Sequence, residues 1–188
     1  RYVKDGKEIV LPAGTAHFLE HKLFESKDGE SADLNFAKYG SEANAYTSYD
    51  VTNYQVSATR KYKESLTELL SFVTHPYFIE ENIAKEQGII GQEIAMNLDD
   101  PYDVVYCGGM RAMYEKHPAK DSTLGTVESI SGITPELLYK TYEDQYDLSN
   151  MVLSVCGDIT PDAVANICDK LLPATATPHR AVPVFERE

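Results

Sequence analysis

The densest chemistry in the chain lies in nine residues, His17-Phe18-Leu19-Glu20-His21-Lys22-Leu23-Phe24-Glu25. On a helix, positions i and i+4 lie about 40° apart around the axis, so His17 and His21 present two imidazoles side by side, one turn apart. Two nitrogens at that spacing can reach one divalent cation. Glu20 follows His17 by three residues and precedes His21 by one. It lies near the same face, placed to take a proton from a water activated there. Ala16, Phe18, Leu19, Leu23 and Phe24 are apolar on nearly every side, which predicts that the helix is buried. Two histidines and a carboxylate inside a core need a partner to offset their desolvation, and a metal ion supplies one. The bland alternative is a solvated helix face carrying two incidental histidines.

The order His-x-x-Glu-His inverts the commoner zinc-hydrolase pattern. Zinc sites of the hydrolytic kind have three protein ligands and one open position, so a third ligand must come from elsewhere. A long helix predicted from about Glu80 to Met96, with Ile83, Ile90 and Ile94 as its apolar stripe, offers Glu86 and Glu93. These are seven residues apart, two turns, and share a face with the stripe; spacing alone also allows an ordinary surface pair near Lys85. Gly88 and Gly91 each cost about 1 kcal/mol relative to Ala inside a helix, which predicts that another element approaches closely there. Ser48 and Cys107 have no evident base beside them, so no serine or cysteine nucleophile is expected. His75 and His179 read as solvated loop histidines, His117 as structural.

The elements that would position these groups are legible at coarse grain. Glu8 to Leu11 is strand-like and ends at Pro12. A helix from Thr15, as N-cap, to about Glu25 is followed by one from Ser31 to Tyr39, with Leu34 and Ala37 inward and Gly40 closing it. Glu42 to Thr47 and Thr52 to Ala58 suit a pair of antiparallel strands. Leu66, Leu69, Leu70 and Val73 mark an amphipathic helix that packs on them. Asp99-Asp100-Pro101 breaks the long helix, and another follows over about Tyr102 to Tyr114. Thr134-Pro135-Glu136 and Thr160-Pro161-Asp162 read as helix starts. Met151 to Cys156 reads as a buried strand, and Leu172-Pro173 onward as a linker, giving one domain over 1–172 and a linker or next segment over 173–188.

The chain has 188 residues, with 17 Lys+Arg against 30 Asp+Glu, a formal net charge of −13. Together with 43% hydrophobic residues this is a globular balance. No cluster of Lys and Arg suits a phosphate backbone or an anionic lipid surface, so neither nucleic acid nor membrane is expected as a partner. Cys107, Cys156 and Cys168 form no CxxC pair, which fits a reducing, cytoplasmic setting. No apolar run approaches the roughly 20 residues of a spanning helix, and the start does not read as a signal peptide. Because the first residue is Arg1 rather than Met, a preceding stretch stays open.

The chain resembles the pitrilysin/insulinase family of zinc metallopeptidases, the inverzincins, and among them the bacterial members with a His-Lys-Leu-Phe-Glu continuation. The match runs through Gly14 to His21, Asn44-Ala45-Tyr46-Thr47, Glu86 to Ile94, Asp99-Asp100-Pro101, His117-Pro118, Leu124-Gly125-Thr126 and Ser149-Asn150-Met151 leading to Gly157-Asp158. The resemblance implies that His17, His21 and Glu93 bind Zn2+, with Glu20 as the general base. Glu86 would support the site from behind the ligands, with Glu86 as ligand the runner-up. It implies that Asn44, Ala45, Tyr46 and Thr47 belong to an edge strand that pairs with the backbone of a peptide substrate. The implied fold is α+β, a mostly antiparallel sheet with helices on one face. A second homologous domain or subunit would supply an Arg and a Tyr that hold the substrate, so the isolated chain is expected to bind zinc and cleave poorly. A catalytically silent, peptide-binding or scaffolding subunit is the rival reading.

Overall fold

The computed structural model describes residues 1–25, 27, 31–173 and 181–184. Among them the chain forms eight α-helices and two small antiparallel sheets, an α+β arrangement. Strands β1 (Tyr2–Lys4) and β2 (Lys7–Ile9) make a hairpin through Asp5 and Gly6, whose φ angles are positive. They are followed by α1 (Thr15–Leu23) and α2 (Ala32–Tyr39). Strands β3 (Ser41–Thr47) and β4 (Thr52–Ala58) pair in full register from Ser41 opposite Ala58 to Thr47 opposite Thr52. Helices α3 (Tyr62–Thr74), α4 (Glu80–Asp99) and α5 (Pro101–Met113) come next, then α6 (Val127–Ser131), α7 (Pro135–Gln145) and α8 (Pro161–Leu171). A last strand, β5 (Val182–Pro183), pairs with β1.

One apolar cluster joins these pieces. Phe18, Leu19 and Leu23 of α1, Phe36 of α2, Phe72 of α3, Ile83 and Ile90 of α4, Ile130 of α6 and Leu138 of α7 are buried in it. A fully buried side chain of this size contributes about 1.5–3 kcal/mol, so α1 is held by three such anchors along only nine residues. The rings of Phe24, Phe36, Tyr54 and Phe72 lie 5.0–6.1 Å apart by centroid and tie α1, α2 and α3 to the β3–β4 hairpin.

The start of α1 is set by two glycines in different loops. Gly14 (φ 87°) caps the helix, and a Cβ there would lie 2.4 Å from the carbonyl oxygen of Leu124. Gly125 (φ 75°) faces it, and a Cβ there would lie 2.3 Å from the carbonyl oxygen of Ala13. Only a residue without a side chain lets the two loops come this close at these φ values. Thr15 is therefore not the N-cap: it sits inside the first turn, its hydroxyl donating to the carbonyl of Pro12 at 2.7 Å.

Several expectations are overturned. In α2 it is Ala32 and Phe36 that turn inward, while Leu34 is 53% exposed and Ala37 is exposed too, because Ser31 caps the helix and sets its phase. Met151 to Cys156 forms no strand and pairs with none among the described residues, and Val152 is 95% exposed. β-branched composition supplies propensity, yet neither small sheet reaches this segment to provide a ladder. Beyond the domain boundary expected at 172, Val182 and Pro183 pair with β1; 174–180 and 185–188, including His179, lie outside the described residues. Gly88 and Gly91 face open space, with nothing within 4 Å of where a Cβ would stand, so no element packs closely there. The helix starts at Thr134 and Thr160 are as the sequence predicts, each side chain accepting a backbone N–H, and Asp100, expected only as part of a break, caps α5 in the same way.

Candidate metal centre

Helices α1 and α4 lie against each other, and their facing side chains build the site. His17 and His21, one turn apart on α1, have ring centroids 4.5 Å apart. Across from them Glu93 on α4 places Oε1 3.7 Å from His17 Nε2 and Oε2 3.8 Å from His21 Nε2. Among the described residues, His17, His21 and Glu93 are the group of metal-ligand side chains whose donor atoms all lie within 4.8 Å of one another.

These separations are too long for hydrogen bonds and close to what an ion needs. Two ligands at about 2.0–2.1 Å from a tetrahedral zinc lie about 3.3–3.4 Å apart, so a contraction of a few tenths of an ångström would seat one. The donor set, two neutral imidazoles and a carboxylate, fits zinc. Buried His17 also supplies an orphan, for its Nδ1 finds no hydrogen-bond partner.

The rest of the site is tied down. Glu86, two turns before Glu93, meets His21 Nδ1 through Oε1 at 2.9 Å. That contact occupies the nitrogen pointing away from Glu93 and leaves Nε2 free to face a metal, so Glu86 stands behind His21, outside the cluster of donors formed by His17, His21 and Glu93. Glu20 is 6% exposed and accepts a 2.5 Å hydrogen bond from the hydroxyl of Thr47 on β3. The family resemblance assigns Thr47 a backbone contact with substrate; nothing in its sequence context signals that its side chain holds Glu20.

Charge follows this geometry. Burial, helped by the neighbouring His21, pushes the pKa of His17 down to about 4, so it is neutral near pH 7. Glu86, hydrogen-bonded to it, raises the pKa of His21 against the opposing effect of burial. Burial would raise Glu86, but the hydrogen bond with His21 and the charge of Lys22 bring it below the usual carboxylate range. Burial raises Glu20 despite the opposing hydrogen bond from Thr47.

A cleft of about 600 Å³ opens over these groups. Its other walls are Ala43 to Thr47 of β3 and Thr123 and Leu124 from the loop stacked on the start of α1. Strand β3 has a strand partner on one side only, β4. His75 is exposed at the end of α3. His117 caps a short 3-10 turn, accepting the N–H of Ala119 at 3.2 Å.

Two histidines of one helix and a carboxylate of another thus converge in an α+β domain as a set of donors that could hold one metal ion. Residues 8–127 match the family described as Insulinase (Peptidase family M16), and the chain belongs to that family. It is 47% identical over 166 residues, 87% of the chain, to a Bacillus subtilis protein named zinc protease YmfH, of which it covers 39%. An M16-like peptidase from Alicyclobacillus acidocaldarius superposes with a TM-score of 0.92 at 36% identity, over 98% of this chain and 44% of that one. An M16 inactive domain from Pseudomonas fluorescens shares the fold at 20% identity, with a TM-score of 0.74 over 94% of this chain and 44% of that one. The chain thus spans about two fifths of the length of these relatives.

Proposed function

We propose that this chain is the metal-binding domain of a zinc-dependent endopeptidase, with His17, His21 and Glu93 as the zinc ligands and Glu20 as general base. The observation that carries the reading is the convergence of those three donor groups within 4.8 Å, beside a buried carboxylate with a raised pKa. Zinc, when bound, lowers the pKa of water from ~15.7 towards ~7 and polarises a carbonyl. Glu20 then does the proton work: with its carboxylate held by Thr47, it accepts the proton of the attacking water and passes it to the leaving amine. No covalent bond between enzyme and substrate is needed.

The free edge of β3 along the cleft suits an extended peptide, because main-chain pairing gives affinity without requiring particular side chains. Asn44 to Thr47 are the residues assigned to that contact. The rest of the full-length protein is proposed to supply a second homologous domain that closes the cleft with an Arg and a Tyr. On this reading the isolated chain binds zinc but cleaves poorly. Replacing Glu20 by Gln in the full-length protein tests the assignment. Peptide cleavage is expected to fall at least 100-fold, the scale of general acid–base catalysis, with zinc content unchanged. Unchanged cleavage would favour the silent, scaffolding reading.

A further inference from the structure

The most costly side chain in the seam between α1 and α4 is one that neither binds metal nor touches the cleft. Lys22 is fully buried, at 0% exposure. Its Nζ meets Glu25 Oε2 at 2.5 Å, the carbonyl oxygen of Asn82 at 3.3 Å and Glu86 Oε2 at 3.6 Å. Asn82 in turn donates its side-chain amide to Glu25 Oε2 at 2.7 Å. Glu86 is thereby engaged at both oxygens, Oε1 bonded to His21 at 2.9 Å and Oε2 facing the ammonium at 3.6 Å as an ion pair.

Replacing a buried ion pair by apolar residues of similar volume is often neutral or stabilising, and Lys22 is buried at 0% exposure. Stability therefore does not account for an ammonium at this position. Orientation does. A carboxylate held at one oxygen can swing about its Cγ–Cδ bond, whereas one held at both presents Oε1 to His21 Nδ1 in a single pose. That pose fixes the ring of His21 with Nε2 towards Glu93. The same grip sets the register of α4 on α1, and Glu93 stands two turns further along the same helix.

We propose that Lys22 is a positioning residue for the metal centre, acting through Glu86 to hold His21 in its ligating orientation. The proposal rests on the zinc-site reading given above. Its test is a double-mutant cycle in the full-length protein, with Lys22→Met, Glu86→Gln and the double variant compared for zinc dissociation constant by chelator competition. Visible absorption of the cobalt(II)-substituted proteins is read alongside, since it reports ligand geometry. Lys22→Met is expected to weaken zinc binding about 10- to 100-fold, the usual effect of removing a group that orients a ligand, and to shift the cobalt bands. The double variant is expected to bind zinc as Glu86→Gln does, because Lys22 works only through Glu86.

Wild-type zinc affinity in Lys22→Met, or a double variant showing the product of the two separate losses, would overturn the proposal. Should Lys22→Met fail to fold, the double variant removes the stranded Glu86 charge and leaves only Glu25, which is partly exposed and keeps the amide of Asn82 as its donor. Its comparison with Glu86→Gln alone then decides: equal affinity supports the proposal and a further loss overturns it. A wild-type protein that binds no zinc refutes the metal-site reading instead, which keeps the two failures apart.

Discussion

The two ends of the α1–α4 seam are built to opposite specifications. At the Lys22 end Glu86 Oε1 meets His21 Nδ1 at 2.9 Å and Lys22 meets Glu25 at 2.5 Å, and the side chain of Glu86 is 8% exposed. At the other end the side chain of Glu93 is 37% exposed, and its oxygens stop 3.7 and 3.8 Å short of the two imidazoles. Two carboxylates of one helix, on one face, thus have different fates. On the zinc-site reading the difference teaches that a closed end holds an open end apart: the partners around Glu86 keep α1 and α4 in register, which leaves Glu93 at a distance suited to an ion rather than to a hydrogen bond.

Breaking the open end should have the largest effect. Glu93→Gln removes the charged ligand, and zinc affinity measured by chelator competition should fall by more than the ~100-fold upper range for a supporting residue. At the closed end Glu86→Gln should cost about 10- to 100-fold in the same assay and leave the ligand set intact. A larger loss at Glu86 than at Glu93 would invert the comparison and make Glu86 the ligand.

Next in size comes the support under α1. Gly14→Ala must either move the loop at Leu124 or strain a φ of 87°. A loss of about 1–3 kcal/mol in denaturant unfolding is expected, together with weakened zinc binding, since His17 sits in the first turn.

The smallest effect sharpens the electrostatic side. In the metal-free protein, NMR titration should find His17 neutral down to about pH 4, while His21 holds its proton to a pH above the ordinary imidazole range. Protons compete with zinc for imidazole nitrogens. Zinc affinity should therefore rise with pH as His21 loses its proton, with His17 adding no slope until the pH approaches its own low value. A second histidine titrating alongside His21 near neutrality would contradict the burial of His17.

The first half of the site is legible in the sequence because helical spacing is rigid: once Thr15–Leu23 is a helix, His17 and His21 must share a face. Spacing alone cannot choose between Glu86 and Glu93, since it puts both on the same side of α4, and only the crossing of α4 over α1 decides which one meets Nε2. Caps at Thr134 and Thr160 are readable because they depend on local hydrogen bonds. The expected strand at Met151 to Cys156 fails because a strand depends on a neighbour, which no local pattern reports. Nothing in the sequence singles out Lys22 within its motif, and its burial emerges only where Glu25, Asn82 and Glu86 converge on it.

The central claim is that one zinc ion is held by His17, His21 and Glu93, and anomalous diffraction at the zinc edge from crystals of the full-length protein tests it most directly. The account predicts a single peak between α1 and α4, with the Nε2 atoms of both histidines and an oxygen of Glu93 at about 2.0–2.2 Å and Glu86 still bonded to His21 Nδ1. A peak coordinated by Glu86, or zinc bound anywhere else in the chain with these three side chains apart, would contradict it.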